Sequence, residues 1–354
     1  MTRTSRGRAP RLLALALVAA ASGGGAANAR PPAPTPTPRV ESGAESARRA
    51  LAERDVEFEA AAFVAAAGEG DIALVGLFLD AGMPAATRDR WGTSALVAAA
   101  RGDRPDVVRL LLDRGARPDD APGGEPPVTA AAEAGGLAAL KALLEAGADP
   151  DAVADPSKGP GGTPLQRACA AEAWDAARIL LEGGANANAA APPLPPPLFL
   201  AAESGHAPTV SALLSKGADP NARSQGGASP VWLPVWNGHV EVVRLLLARG
   251  ADVQAQDAMG RTALMYASSG PCEATVRLLL ERGAGVNVCD KEERWTALMF
   301  AAAEGQLDVV GALLAHGADP ARTDIDGDKA VDFASRNGHA AVAELLAASG
   351  RGGK

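Results

Sequence analysis

The chain has 354 residues and a formal net charge of −8, and only 3% of its residues are aromatic although 47% are hydrophobic. Binding to a phosphate backbone needs a basic surface, so this charge balance argues against nucleic acid as a partner and against an anionic membrane surface. Few aromatic residues together with abundant alanine and glycine favour thin, repeated layers over one large globular core.

Residues 1–29 have the three-part pattern that is typical of a secretory signal peptide. An arginine-rich start is followed by an apolar run over residues 12–21 and by the small residues Ala27-Asn28-Ala29. The apolar run has about half of the roughly 20 residues that a membrane-spanning helix needs, so we expect no membrane anchor in the mature chain. No cysteine precedes Cys169, which argues against a lipoprotein. We expect an exported protein, periplasmic or secreted; the alternative is an alanine-rich disordered start.

Residues 30–54 are proline-rich and then polar. This composition predicts a disordered, extended linker and no packed structure.

From residue 55 to residue 350 the sequence repeats itself. The phrase Val-Arg-Leu-Leu-Leu at residues 243–247 returns at residues 276–280, and a glycine closes each unit at intervals of 32 to 37 residues. Self-similarity at this period predicts a solenoid. The closing glycines are Gly82, Gly115, Gly147, Gly184, Gly217, Gly250, Gly283, Gly317 and Gly350, which leaves residues 351–354 as a tail.

Each unit predicts two helices and a turn. In the sixth unit Val243, Leu246 and Leu247 fall on one face of a helix that Gly250 ends, which is an amphipathic pattern with a glycine C-terminal cap. A shorter, alanine-rich helix precedes it in each unit. The polar segment that follows the closing glycine, here called the finger, has the composition of a β-turn.

The motifs of these units resemble those of the ankyrin-repeat family. Thr163-Pro164-Leu165 and Thr262-Ala263-Leu264 match the opening of its first helix, and Gly238-His239 matches the step between its helices. The resemblance implies an all-α solenoid of nine repeats over residues 55–350, each with two antiparallel helices and a β-turn finger. No repeat has the family's His after the Leu, so the hydrogen bonds of that residue must be absent or differently supplied.

Three places depart from the regular unit. Extra residues fall in the loop-like segment 152–162, and the finger at 189–197 is rich in proline, which weakens turn pairing because proline donates no backbone hydrogen bond. A polyproline recognition face is the alternative to an irregular connector there. In the sixth repeat Pro234 lies within the first helix, between Trp232 and Trp236.

No catalytic or metal site is predicted. The chain has four histidines and three cysteines, and none of these residues shows zinc-ligand spacing. Cys169 replaces a buried alanine, and Cys272 and Cys289 are expected to lie too far apart for a disulfide. The finger Asp324–Asp328 lacks the glycine and glutamate positions of a calcium loop. The leader, linker and repeats use nearly every residue, so we expect no enzyme domain and no cofactor.

The family resemblance implies a non-enzymatic scaffold that binds a partner protein through its concave face, and we expect a monomer. The alternatives are a periplasmic stress-protective or toxin-neutralising factor that binds an enzyme, and a secreted effector. In the resembled family the residues before Gly-His and the finger tips contact the partner, which here selects Arg90, Trp91, Glu203, Trp236, Asn237, Met259, Arg261, Glu292, Arg294, Trp295 and Glu304. We place Trp236 and Arg261 at the centre. For Trp91, packing onto the neighbouring finger is an equal alternative to a binding role. For Trp236, the alternative to a binding role is a locally repacked groove that holds no ligand.

The signal-peptide prediction has a direct test. Cleavage after Ala29 would leave a mature chain that begins at Arg30, and intact-mass measurement of protein from the periplasm or the medium should give the mass of that chain. A full-length product confined to the cytoplasm would contradict the prediction.

Overall fold

The computed structural model describes residues 42–121, 124–157, 161–224, 227–270 and 272–350, all of which belong to one compact unit, Glu41–Lys354. The predicted signal peptide, the first part of the predicted linker (residues 30–41) and the tail lie outside the described residues. The described ranges contain nineteen α-helices and, in place of sheets, five isolated antiparallel bridges in the fingers. No helix in these ranges is long and apolar enough to cross a membrane.

The helices follow one another in pairs after a single first helix. Their bounds are α1 (Gly43–Glu53), α2 (Ala60–Glu69), α3 (Ile72–Asp80), α4 (Ala95–Arg101), α5 (Pro105–Asp113), α6 (Pro127–Ala134), α7 (Leu137–Glu145), α8 (Pro164–Ala170), α9 (Trp174–Glu182), α10 (Pro197–Glu203), α11 (Ala207–Ser215), α12 (Trp232–Trp236), α13 (Val240–Ala248), α14 (Ala263–Ser269), α15 (Glu273–Glu281), α16 (Ala297–Ala303), α17 (Leu307–Ala315), α18 (Ala330–Arg336) and α19 (Ala340–Ser349).

The nine pairs from α2–α3 to α18–α19 confirm the predicted all-α solenoid. The first helices of the pairs stack on one another in an inner row, from α2 to α18, and the second helices form an outer row beside it, from α3 to α19. Inner-row alanines such as Ala99, Ala131, Ala168, Ala201 and Ala301 are completely buried. Small side chains at these positions let neighbouring helices approach closely, and each repeat therefore completes its core only against its neighbours.

The prediction that residues 30–54 form a disordered linker is wrong for Gly43–Glu53. These residues form α1, whose start is fixed by a capping box in which Ser42 and Glu45 each accept the backbone N–H of the other. Leu51 is buried against the first repeat, and Arg48 Nε donates to the carbonyl of Ala81 at 3.2 Å. α1 thus extends the outer row beyond α3. The Ser-x-x-Glu pattern is a helix-start signal that the overall composition of the segment hides.

Side-chain amides join successive fingers along one edge of the stack. The Asn221 Nδ2 donates to the carbonyl of Gly250 at 2.9 Å, and its Oδ1 accepts the backbone N–H of Asp252 at 2.7 Å. Asn188, Gln254 and Asn287 make the same two bonds to the repeats that follow them. Earlier in the stack Asp119 takes this position and accepts only from the backbone N–H of Asp149, because a carboxylate has no N–H to donate.

The amide edge generates a stability prediction. Replacing Asn221 with Ala removes both bonds to the next repeat, and at roughly 0.5–1.5 kcal/mol net for each hydrogen bond the free energy of unfolding should fall by about 1–3 kcal/mol. The change is measured by urea unfolding followed by circular dichroism. The matched variant Asn221→Asp keeps the acceptor and should lose about half as much. Equal stability of all three proteins would show that the edge contributes nothing.

Candidate functional site

The exposed ends of the inner helices carry the residues that the sequence selects. α10 ends at Glu203, α12 at Trp236 and α14 at Ser269, and Glu304 is the C-terminal cap residue of α16. These four residues come from four successive repeats, and Glu203, Trp236 and Glu304 are exposed. The inner row therefore presents a strip in which one large aromatic ring lies between two carboxylates.

The two tryptophans of α12 have different environments. Trp232 is only 7% exposed and belongs to the core, whereas Trp236 is 55% exposed. Trp232 occupies the place after the Leu where the resembled family has its histidine. Pro234 is accommodated because α12 is a single short turn of five residues, so the missing N–H of proline falls where no intrahelical acceptor is required. Only Trp236 is available to a partner.

Tyr266, which the sequence analysis did not select, links this strip to the next finger. Its ring lies 6.1 Å from that of Trp236 with the two planes nearly perpendicular, and 6.2 Å from that of Trp232. Its hydroxyl donates to Asp257 Oδ2 at 2.7 Å. Burial raises the pKa of Tyr266 to about 12, and the hydrogen bond to Asp257 adds to the shift. An alignment of the repeats could have identified Tyr266, because the equivalent residues in the next two repeats, Phe300 and Phe333, are also aromatic.

Arg261 does not have the environment of a free binding residue. Its side chain is 30% exposed, its Nε lies 3.6 Å from the buried Asp290 Oδ2, and its Nη2 lies 4.0 Å from Glu292 Oε2. The guanidinium also lies over the ring of Phe300, 5.6 Å from its centroid. Removing Arg261 would leave a buried carboxylate oxygen unpaired, so its truncation would lower stability whatever it does to binding. We therefore do not place it at the centre of the site.

Trp295 is likewise part of the packing. Its ring lies 5.0 Å from that of Phe300 and 4.4 Å from that of Phe333, so it fills the space between the eighth and ninth repeats. The neighbouring finger residues Glu292 and Arg294 are exposed, and the backbone of Arg294 takes the left-handed conformation at φ 60°. Of this finger's selected residues, the charged tip is exposed and the tryptophan is half-buried.

The remaining selected residues divide in the same way. Asn237 is exposed but donates from Nδ2 to the carbonyl of Glu203 at 3.1 Å, which ties the sixth repeat to the fifth. Met259 is an exposed finger tip whose carbonyl accepts the N–H of Lys291. Trp91 is 69% exposed, and the guanidinium of Arg90 covers its ring at 4.1 Å. Arg90 and Trp91 belong to the second repeat, whereas Trp236 belongs to the sixth.

The absent family histidine is replaced in the fourth repeat by Gln166. This fully buried amide accepts the backbone N–H groups of Thr163 and Ala191, and its Nε2 donates to the carbonyls of Leu194 and Pro195, each at 2.9 Å. Gln166 thus fastens the proline-rich finger 189–197, whose own turn pairing the prolines weaken. Among the described residues this finger has no cross-strand bridge of the kind seen in five others.

The titratable side chains of the repeats serve structure. The first aspartate of a finger accepts backbone N–H groups of the same finger, as when Asp324 Oδ1 accepts from Asp326 and Asp328. His239 and His339 contact carbonyls of the preceding repeat through Nε2. The described residues contain no cluster of three or more potential metal ligands. The three cysteines are free thiols, and burial raises the pKa of Cys169 to about 12.

Comparison with known proteins agrees with this geometry. The family model for ankyrin repeats (3 copies) matches residues 62–154, 168–257, 198–288 and 270–352, which together cover well over half of the chain. The chain belongs to the ankyrin-repeat family. It is 39% identical over 108 residues to an ankyrin repeat-containing protein of Treponema pallidum (strain Nichols), a match that covers 30% of this chain and 36% of that protein.

Ankyrin repeats generally mediate protein–protein interaction. One departure of this chain from the ankyrin pattern is at the position after the family's Leu, where Gln166 and Trp232 stand in place of the usual histidine. In the seventh and eighth repeats a methionine occupies this position, and its sulfur accepts the backbone N–H of the N-terminal cap threonine at 3.4 Å. Gln166, Met265 and Met299 therefore make the capping contact of the missing histidine, whereas α12, which has Trp232 at this position, has no side-chain cap hydrogen bond.

The chain contains one tyrosine, so absorbance at alkaline pH reports Tyr266 alone. In the folded protein its ionisation should begin well above the ordinary value of about 10 and have a midpoint near 12. Asp257→Asn should bring the midpoint closer to 10, because a neutral amide no longer disfavours the tyrosinate. Circular dichroism at each pH confirms that the protein is folded. A midpoint near 10 in the folded wild-type protein would contradict the described contact.

Proposed function

We propose that this ankyrin-repeat protein is a non-enzymatic scaffold that binds a partner protein through the inner-helix face of repeats five to eight. The proposed centre, called the Trp236 surface from here on, consists of Glu203, Trp236, Tyr266, Ser269 and Glu304. The observation that carries the proposal is the 55% exposure of the Trp236 side chain at the end of an inner helix, since exposed tryptophans are among the commonest anchors of protein interfaces.

The surroundings of Trp236 support its role as an anchor. Tyr266 lies beside it and is fixed by the hydrogen bond to Asp257, so little conformational freedom is lost when a partner covers the two rings. Ser269 and Gly270, at the end of the next inner helix, are small residues. An exposed ring held in place by a neighbouring ring favours contact with a partner side chain.

We also propose that the mature protein acts outside the cytoplasm, since residues 1–29 have the pattern of a signal peptide. In that setting a protective factor that binds an enzyme and a secreted effector are both compatible with the Trp236 surface. These two functions differ in the identity of the bound protein, which the affinity capture described next would provide.

Affinity capture with matched variants tests the proposal. Wild-type protein, Trp236→Ala and the outer-helix control Arg244→Ala are immobilised, and proteins retained from an extract of the native source are compared by quantitative mass spectrometry. At a hot spot truncation costs about 2 kcal/mol or more, so a true partner should bind Trp236→Ala at least about tenfold more weakly. It should bind Arg244→Ala like the wild type, because Arg244 lies on the outer-row helix α13 and pairs with Glu241 of the same helix.

Circular dichroism must show the same helical content for all three proteins. A partner that binds them equally would place the interface outside the Trp236 surface, and a partner lost only with Arg244→Ala would place it on the outer helices.

A further inference from the structure

Three aromatic side chains of the described residues are more than 40% exposed: Phe58, Trp91 and Trp236. Two of them carry an arginine of the same chain. The guanidinium of Arg48 lies 5.1 Å from the centroid of the Phe58 ring, and that of Arg90 lies 4.1 Å from the centroid of the Trp91 ring. No guanidinium or ammonium group within the described ranges covers Trp236. Among the described residues it is therefore the exposed ring that no cation covers.

The less exposed rings nearby repeat the pattern. Arg223 lies over Trp232, Arg261 over Phe300 and Arg336 over Phe333, each within 6 Å of the ring centroid. Two of these arginines are also neutralised by carboxylates, since Arg261 pairs with Asp290 and Arg336 pairs with Asp328. These three arginines are thus already engaged with rings of their own repeats or of the following ones.

The carboxylates on either side of Trp236 are not engaged. Glu203, one repeat before it, and Glu304, two repeats after it, are exposed. Neither carboxylate has an ion-pair partner among the residues that the structure describes, whereas Glu133, at the position of Glu203 two repeats earlier, pairs with Arg167. An open aromatic face between two unpaired negative charges is complementary to positive charge.

We infer that the Trp236 surface takes an arginine- or lysine-bearing segment of the partner protein, with one cationic side chain on the indole and further ones at Glu203 and Glu304. This inference rests on the proposed function and adds the chemistry of the partner. Adjacent inner helices are roughly 10 Å apart, and an extended segment advances about 3.3 Å for each residue. The three cations are therefore separated by about three and about six residues.

Defined peptides test the inference without knowledge of the partner. The probe is a fluorescein-labelled, twelve-residue glycine–serine peptide with arginines at the separations just given, and it is made in both sequence directions. Two control peptides have glutamine or glutamate in place of the arginines. Binding to the full chain is measured by fluorescence anisotropy at several salt concentrations.

The arginine peptide should bind in at least one direction, more weakly as salt rises, and the two controls should not bind. Trp236→Leu keeps an apolar side chain but removes the aromatic face, and should weaken binding about fivefold or more, since a cation–π contact at a partly exposed site contributes on the order of 1 kcal/mol. Glu203→Gln combined with Glu304→Gln should weaken binding similarly and reduce its salt dependence. The matched control Trp91→Leu, where Arg90 already covers the ring, should leave binding unchanged.

The inference is overturned if the arginine peptide shows no binding up to about 1 mM in either direction, if the glutamine or glutamate peptide binds equally well, or if Trp236→Leu binds like the wild type. Its failure is distinct from failure of the proposed function. If no cationic peptide binds but a captured protein partner is still lost with Trp236→Ala, only the charge of the partner has been wrongly assigned.

Discussion

Each repeat can bury its inner helix only against the repeats on either side, and the rest of the structure depends on this constraint. Positions between adjacent inner helices must be small, and alanines such as Ala131, Ala201, Ala267 and Ala301 occupy them with almost no exposure. The inner-row face that no neighbour covers has no such restriction. Arginine, glutamate, tryptophan and serine all occur at the ends of the inner helices because they contribute little to stacking and are available for binding.

The two halves of this uncovered face differ in chemistry. In repeats two to four, Arg101 pairs with Glu125 and Arg167 with Glu133, so charged side chains satisfy one another within the chain. In repeats five to eight the same face presents aromatic rings, and the carboxylates of Glu203 and Glu304 have no such pairs among the described residues. An ion pair within the chain has to be broken or solvated before it can bind a partner. Under the proposed function, the second half is therefore the part of the stack better prepared for binding.

The periodicity of the sequence made the fold predictable. The site was less predictable, because the burial and the contacts of a side chain depend on its position within the repeat and on how the repeats stack. The helices, fingers and closing glycines recur at a nearly fixed interval, so nine repeats could be counted directly. α1 was missed because a single helix has no repeat to compare with, although Ser42 and Glu45 mark its start. Trp232 and Trp236 flank one proline, but they fall at different positions of the repeat, one buried and one exposed. Arg261 could not be recognised as structural, because its partner Asp290 belongs to the next finger and comes close only when the repeats stack.

Site-specific photo-cross-linking in the native cell tests most directly whether the inner-helix face of repeats five to eight is where the partner binds. A benzophenone amino acid replaces Ser269, which adjoins Trp236 on the inner row, or Arg244 on the outer row, and the cells are irradiated. Our account predicts a discrete cross-linked product from the Ser269 position and none from the Arg244 position. A product from the Arg244 position alone would contradict it.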